Sequence, residues 1–481
     1  MIWTYRYVNW DLWYDEVYSL EHFSLQDFAT TLFYYPSPNN HIFFNITSQL
    51  ISRIFNLRDA FLVSENVYIF RLFQLVISLL TAYFTVRVAK LFFNNKSSFL
   101  IYAVFFTTIP VINFSLQLRG YNMSSLFLIM MIFYTWRYIE LRRKYDWIRI
   151  LLSTILLIYT IPSNLYFVVS LWLAVVLIFA ISRKMDKNFS FRSYRNALLY
   201  ISIGVLVSIF LYLPVLENVI FNKYSHSEAP GYFYTWGVFK GVAPAFLSKR
   251  YLLLLFIVPF ILWFRKAGRI KETYYFVFLL IMFALPFAIS FMHQKMPFQR
   301  VFIPLAPVFC LLLAVPVIQF IDNSTNWYRI RILQVLVTCY CLFIFMDQIN
   351  KNELIISKNL VENNKLSQDI YRNFYLADYY KQDRVMKELS VIRKGVPVVK
   401  YNQLDKPSTD LYLRKYNIPF DEVLSIEDIA RKAKEFNHFY LLTSMRDRTL
   451  KELQSTGNIQ ANVVKNEFYF TNVIDVKYIG N

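Results

Sequence analysis

Glycine, cysteine and charge are all scarce in this sequence: 481 residues hold 9 glycines, 3 cysteines and 17% charged side chains. So few glycines leave no glycine-rich phosphate loop, and no nucleotide-binding fingerprint occurs. Cys310, Cys339 and Cys341 lie inside apolar runs, where they act as small hydrophobes, and their spacing fits neither a zinc site nor a disulfide framework. The basic and apolar regions of a signal peptide are missing, and residues 1–66 contain no stretch of the roughly 20 apolar residues that span a bilayer.

Apolar bulk takes their place. Hydrophobic residues make up 56% of the chain and aromatics 19%, with a mean hydropathy of +0.35, which excludes both a soluble globular chain and a disordered one. Apolar segments recur near residues 67–92, 97–117, 121–139, 147–162, 164–182, 197–216, 250–264, 273–292, 301–321 and 330–347. Prolines such as Pro110, Pro286 and Pro316 interrupt several, which helices packed among helices tolerate.

The formal charge of +19 orients these spans. Lys90 and Lys96, Arg137 with Arg142, Arg143 and Lys144, Arg183 to Arg195, Arg265 to Lys271, and Arg329 with Arg331 fall in alternate loops, which are therefore cytoplasmic. A basic excess distributed in this way gives no reason to invoke nucleic acid. The intervening loops and both chain ends then face outward. An outward amino terminus with no span before it implies either a helix upstream of Met1 or translocation by its neighbours.

The expected fold class is a polytopic α-helical membrane protein, with about ten transmembrane helices and a carboxy-terminal extracytoplasmic α/β domain. Residues 1–66 form a first outer loop with interfacial helices near 24–34 and 41–55, residues 67–348 the membrane domain, and residues 349–481 the soluble domain. In the last, helices are expected near 378–393, 427–436 and 446–455, and strands at 396–401, 438–443 and 467–470. The setting is an integral membrane, in all a bacterial cytoplasmic membrane with the active site outside.

Polar outliers gather on the outer side. Asp15 and Glu16 stand between aromatic residues in Trp13-Tyr14-Asp15-Glu16-Val17-Tyr18, and Asn40-His41-Ile42-Phe43 follows in the same loop. Leu118-Arg119-Gly120-Tyr121 occupies the next outer turn, and later outer loops carry His226, Glu228, His293, Lys295 and Arg300. An unpaired carboxylate is costly to bury and a solvated one needs no aromatic frame, so the acidic pair is read as the chemical centre.

The order of these motifs, Asp-Glu, then a histidine before apolar residues, then Arg-x-Tyr opening a span, resembles the C-type glycosyltransferases of the protein-mannosyltransferase and aminoarabinose-transferase group, glycosyltransferase family 39-like. Phe70-Arg71-Leu72 resembles an Arg-Leu element of that group, and Gln299-Arg300-Val301-Phe302-Ile303-Pro304 is similar to its late arginine-proline segment. The likeness covers roughly residues 10–320. It implies a C-type fold and transfer of a sugar from a polyprenyl-phosphate donor to an acceptor hydroxyl or amine at the outer face, with inversion.

Such chemistry distributes roles. A carboxylate must take the acceptor proton, and Asp15 is the expected general base, with Glu16 as its catalytic neighbour. A leaving phosphate gains from cations and hydrogen-bond donors, here Arg119, Tyr121, Lys295 and Arg300. Asn40, His41, Arg71, His226, Glu228 and His293 are further substrate-binding candidates, with Arg71 expected to be structural and to snorkel toward headgroups. The histidines share no helical i, i+4 spacing, so a divalent metal is not indicated and no cofactor is required. The partners are the lipid-linked donor, membrane lipids and an acceptor of unknown kind. Plainer readings exist: the acidic pair as helix-start residues, and Arg119 as a headgroup anchor. A polysaccharide ligase or polymerase using lipid-linked glycans and a transporter or flippase are the alternative functions, although transporters place ionisable groups nearer the membrane midplane.

Overall fold

The computed structural model describes residues 8–38, 40–93, 99–108, 111, 114–185, 190–221, 270–293, 299–322, 328, 331–332, 334–343, 346, 382–401, 406–465 and 471–480. The described residues of the first loop form α1 (Tyr14–Ser19), which continues through a wide turn at Leu20–Ser24, α2 (Phe28–Phe33), α3 (Ile42–Ile54) and α4 (Ala60–Glu65). Asp27 and Asp59 start α2 and α4 by accepting from the amides of Thr30 and Leu62, as N-cap carboxylates do. Helix α3 buries Ile42, Phe44 and Asn45 and exposes Leu50, Ile54 and Phe55, an apolar outer surface suited to an interfacial helix.

The bundle follows: α5 (Val67–Phe93), α6 (Phe99–Thr107), α7 (Tyr121–Leu141), α8 (Asp146–Thr160), α9 (Leu165–Met185), α10 (Phe191–Tyr212), α11 (Ile270–His293) and α12 (Ala306–Asp322). Among the described residues, five helices are long and apolar enough to cross a bilayer: Val67–Phe93, Pro162–Ile181, Phe191–Ile220, Glu272–Met292 and Arg300–Gln319. The expected segments near 97–117 and 330–347 contain shorter helices, Phe99–Thr107 and Gln334–Phe343, and that near 250–264 lies outside the described residues.

Helix α7 is the centre of the bundle, buried along most of its length against α5, α8 and the turn Gln299–Leu305. Protein surrounds it, so it can carry Asn122, Ser124, Ser125 and Thr135, all buried. At 1.5 Å per residue its 21 residues extend about 30 Å, so Tyr121 and Leu141 mark opposite ends of the bundle.

The described carboxy-terminal residues form α13 (Gln382–Ile392), β1 (Val398–Tyr401), α14 (Lys406–Lys415), β2 (Phe420–Val423), α15 (Ile426–Phe436), β3 (His438–Thr443), α16 (Arg446–Gln454), β4 (Ile459–Lys465) and β5 (Asn472–Tyr478). Strand order is β2-β1-β3-β5-β4, parallel over the first three and antiparallel at β5 and β4. The strand expected at 467–470 lies outside the described residues apart from its flanks; α14, β2, β4 and β5 are elements that alternation in the sequence did not reveal. One sheet face packs Val399, Phe439, Leu441 and Ile474 against α15 and α16. The other carries Val398, Leu442 and Val473 into a core shared with Leu411, Tyr412 and the first loop's Leu12 and Val17. That second face brings α14 onto α1.

Candidate active site

Asp15 and Glu16 open α1, where successive residues point about 100° apart, so adjacent carboxylates reach different partners. Both are buried. Glu16 Oε1 accepts from the Leu118 amide at 2.7 Å, and Oε2 reaches back to the Trp13 amide at 3.1 Å. Arg71 grips both oxygens at 3.4 and 3.5 Å and donates to the carbonyls of Leu116, Trp10 and Asp11. A 1% exposed guanidinium with four carbonyl or carboxylate partners is a tie between α5, the α1 segment and the turn before α7. The expectation that Arg71 snorkels outward is thereby corrected: once Glu16 is buried beside it, the pair offers the guanidinium more than a headgroup does.

Asp15 faces the other way. Its Oδ2 accepts from Arg300 Nη1 at 2.9 Å and lies 3.8 Å from Arg119 Nη2. Arg119 is also buried, and its Nη1 donates to the Ser19 hydroxyl at 2.8 Å and the Asp15 carbonyl at 3.1 Å. Arg300 arrives from the tight turn Gln299–Leu305 that leads into α12. Its side chain is 23% exposed against 1% for Arg119, so the cluster opens to its surroundings on the Arg300 side.

His41, the residue before α3, closes the group. Its Nδ1 accepts from the Gly120 amide at 2.9 Å, and Nε2 lies 3.4 Å from Arg119 Nη2. Burial first, and the charges of Arg119 and Arg300 second, hold the imidazole well below its usual range. A neutral ring whose Nδ1 accepts carries its proton on Nε2. Gly120 makes this approach possible: a Cβ there would come within 2.8 Å of Thr160 Cγ2 and 3.0 Å of His41 Nδ1. The Tyr121 ring packs edge-on to His41 at 5.0 Å and beside Arg119 at 5.7 Å.

Of the other candidates, Asn40 is a buckle of the loop. Its Nδ2 donates to the carbonyls of Thr31 and Tyr34, and its Oδ1 accepts from Asn45. His226, Glu228 and Lys295 lie outside the described residues, as does the His293 side chain. Among the described residues, no three histidine, cysteine or acidic side chains are grouped to hold a metal. Sequence reading missed the supports of Arg119: Gln74 Nε2 donates to its carbonyl at 2.9 Å, while Asn122 donates to Gln74 Oε1 and to Ser78. Their signal was present, since amides inside apolar spans need partners.

Neither a protein-family model nor a curated protein sequence matches the chain. Solved structures do match. ArnT from Cupriavidus metallidurans bound to undecaprenyl phosphate aligns at a TM-score of 0.56 and 12% identity, over 98% of this chain and 96% of that one. ArnT from the same organism in the apo state aligns at 0.54 and 12% identity, over 98% and 95%. The chain has the C-type glycosyltransferase fold. The likeness runs past residue 320, where the sequence resemblance stopped, and takes in the carboxy-terminal α/β unit within the C-type fold.

Proposed function

We propose that this membrane protein is a glycosyltransferase that moves a sugar from a polyprenyl-phosphate donor to an acceptor on the extracytoplasmic face, with inversion. The observation that carries the reading is the buried carboxylate of Asp15 set against two arginines, Arg300 at 2.9 Å and Arg119 at 3.8 Å. A C-type fold with an ArnT structure that binds undecaprenyl phosphate supports the lipid donor. The basic loops at the Leu141 end of α7 support an outward site at the Tyr121 end, together with the carboxy-terminal domain.

In this mechanism the donor phosphate takes over the guanidinium groups that hold Asp15, and the carboxylate is released to work as a base. Arg300, on the open side, makes the first contact; Arg119 and the Nε2–H of His41, two donors that cannot bond each other, offer hydrogens to the same anion. Asp15 then accepts the acceptor's proton while its oxygen or nitrogen forms a bond to the anomeric carbon. The bond from that carbon to the phosphate breaks, and polyprenyl phosphate leaves with its charge met by the arginines. Glu16 is a positioning residue: Arg71 and two amides already occupy both oxygens. Arginine charge serves where other enzymes place a metal, so the scheme uses no resident cofactor.

The test is transfer of radiolabelled sugar from a panel of polyprenyl-phosphate sugars by membranes containing the protein, with Asp15→Asn at equal level as control. Label that moves from one donor and stops in the variant supports the reading and identifies the sugar. No transfer from any donor, or equal transfer by the variant, overturns it.

A further inference from the structure

The segment before Asp15 is held from two sides. From the bundle, Arg71 donates to the carbonyls of Trp10 and Asp11 at 2.9 and 3.1 Å. From the carboxy-terminal domain, the fully buried Tyr412 hydroxyl on α14 accepts from the Leu12 amide at 2.9 Å. Asp11 Oδ2 in turn accepts from the Asp383 amide at 2.8 Å, at the start of α13, so a first-loop carboxylate caps a helix of the other domain. Lys415 and Tyr416 secure Asp383 at 2.8 and 3.0 Å, and Arg414 pairs with Glu21 at 2.8 Å. The first-loop partners in these contacts, Trp10, Asp11, Leu12 and Glu21, all lie within ten residues of Asp15.

We propose that the carboxy-terminal domain is a working part of the site, with Asp11 and Tyr412 as positioning residues that fix the Asp15 segment against Arg119 and Arg300. The inference rests on the transfer reading for its catalytic consequence. The physical reason is short: α1 has only six residues and cannot hold its own orientation, whereas a 1 Å displacement of a base slows proton transfer steeply. Both outside anchors sit on the residues directly preceding the helix.

The latch is also sensitive to pH. The groups facing Asp11 are Asp383 on α13, Lys415 and Tyr412 on α14, Tyr416 just after it, and Arg71 on α5, with Glu65 of α4 beside Tyr416. Burial pushes the Asp11 carboxyl up to about 7; the Asp383 amide opposes this, the Asp383 carboxylate adds to it, and Lys415 and Arg71 oppose it. Docking therefore favours the protonated acid. The contact is tighter at low pH, weakens as pH rises from the ordinary value of 3.8 to about 7, and changes no further above that.

The experiment measures hydrogen exchange of residues 10–19 in the full-length protein in detergent, beside transfer kinetics for Asp11→Ala, Asp11→Asn and Tyr412→Phe. Expected are exchange faster by on the order of tenfold in Asp11→Ala and Tyr412→Phe, and kcat lower by a similar factor with donor KM within about twofold. Asp11→Asn, which keeps the acceptor oxygen without the charge, restores both and removes the pH step in exchange near neutrality. Unchanged exchange in the two disruptive variants overturns the proposal, as does faster exchange with unaltered kcat. If Tyr412→Phe fails to fold, the pH step present in the parent and absent in Asp11→Asn decides. A parent protein inactive toward every donor sinks the transfer reading, and the exchange comparison still settles whether the latch exists.

Discussion

Each end of the helical bundle has a carboxylate between two arginines, and the two are built differently. At the Leu141 end, Asp146 is fully buried, meets Arg137 through both oxygens, and takes a third bond from Arg149 at 2.8 Å. Its partners are nine and three residues away, so the cluster closes one turn between α7 and α8. At the Tyr121 end, Asp15 meets Arg119 and Arg300, which are 104 and 285 residues distant. Arg300 donates to it at 2.9 Å and Arg119 Nη2 lies 3.8 Å from the same oxygen. A triad drawn from neighbours along the chain is a staple. A triad assembled from three remote segments, with one member opening outward, is what a site for an exchangeable anion requires.

The sharpest break in this comparison is Asp15→Asn against Asp146→Asn. The first is expected to lower transfer by about 10²–10⁴-fold with folding intact. The second should leave transfer per folded molecule within about twofold and cost about 1–3 kcal/mol of stability, read as a lower Tm in detergent. Equal loss of activity from both would erase the distinction. Next in size, Arg119→Ala should reduce kcat by about 10²–10³-fold, while Arg149→Ala, half-exposed, should shift stability by less than about 1 kcal/mol and leave kcat alone.

Within the site end, Glu16→Gln separates scaffold from chemistry. It leaves Arg71 buried without its counter-charge, so about 3 kcal/mol of stability should be lost, with the pH dependence of transfer by the folded fraction unchanged. A changed pH profile would assign Glu16 to the reaction. The smallest effect concerns His41, which folding keeps neutral below its ordinary value of 6.5. The unfolded chain binds that proton more readily, so His41's stability contribution is complete above pH 6.5 and is lost as pH falls below it toward the folded value. Tm measured from about pH 7.5 down to about pH 5.5 should decline, and His41→Gln should flatten the decline.

Much of this was legible from one-dimensional pattern. Apolar runs located α5, α9, α10, α11 and α12, because a span must satisfy its backbone within one helix and needs length. Asp15, Arg119 and Arg300 were singled out because charges beside apolar segments require a reason. Pattern put Asp15 first as the base but kept Glu16 beside it as a catalytic neighbour. The two adjacent carboxylates differ only in which remote group meets them, and that depends on the rotation of a six-residue helix within the assembled bundle. Arg71 failed for the same reason: its snorkelling seemed natural until the partner 55 residues earlier was in place.

By itself, then, the sequence determined the class of solvent the chain folds in, the positions of its long apolar helices and which polar residues needed explanation. Hydrophobic length and charge content are local properties, and they survive in any conformation. The tertiary structure alone decided that Glu16 is tied while Asp15 faces two arginines, that Gly120 lets His41 approach Arg119, and that Tyr412 grips the Leu12 amide. Those contacts join residues up to 400 positions apart, and their energies exist only once the intervening chain has paid its conformational entropy.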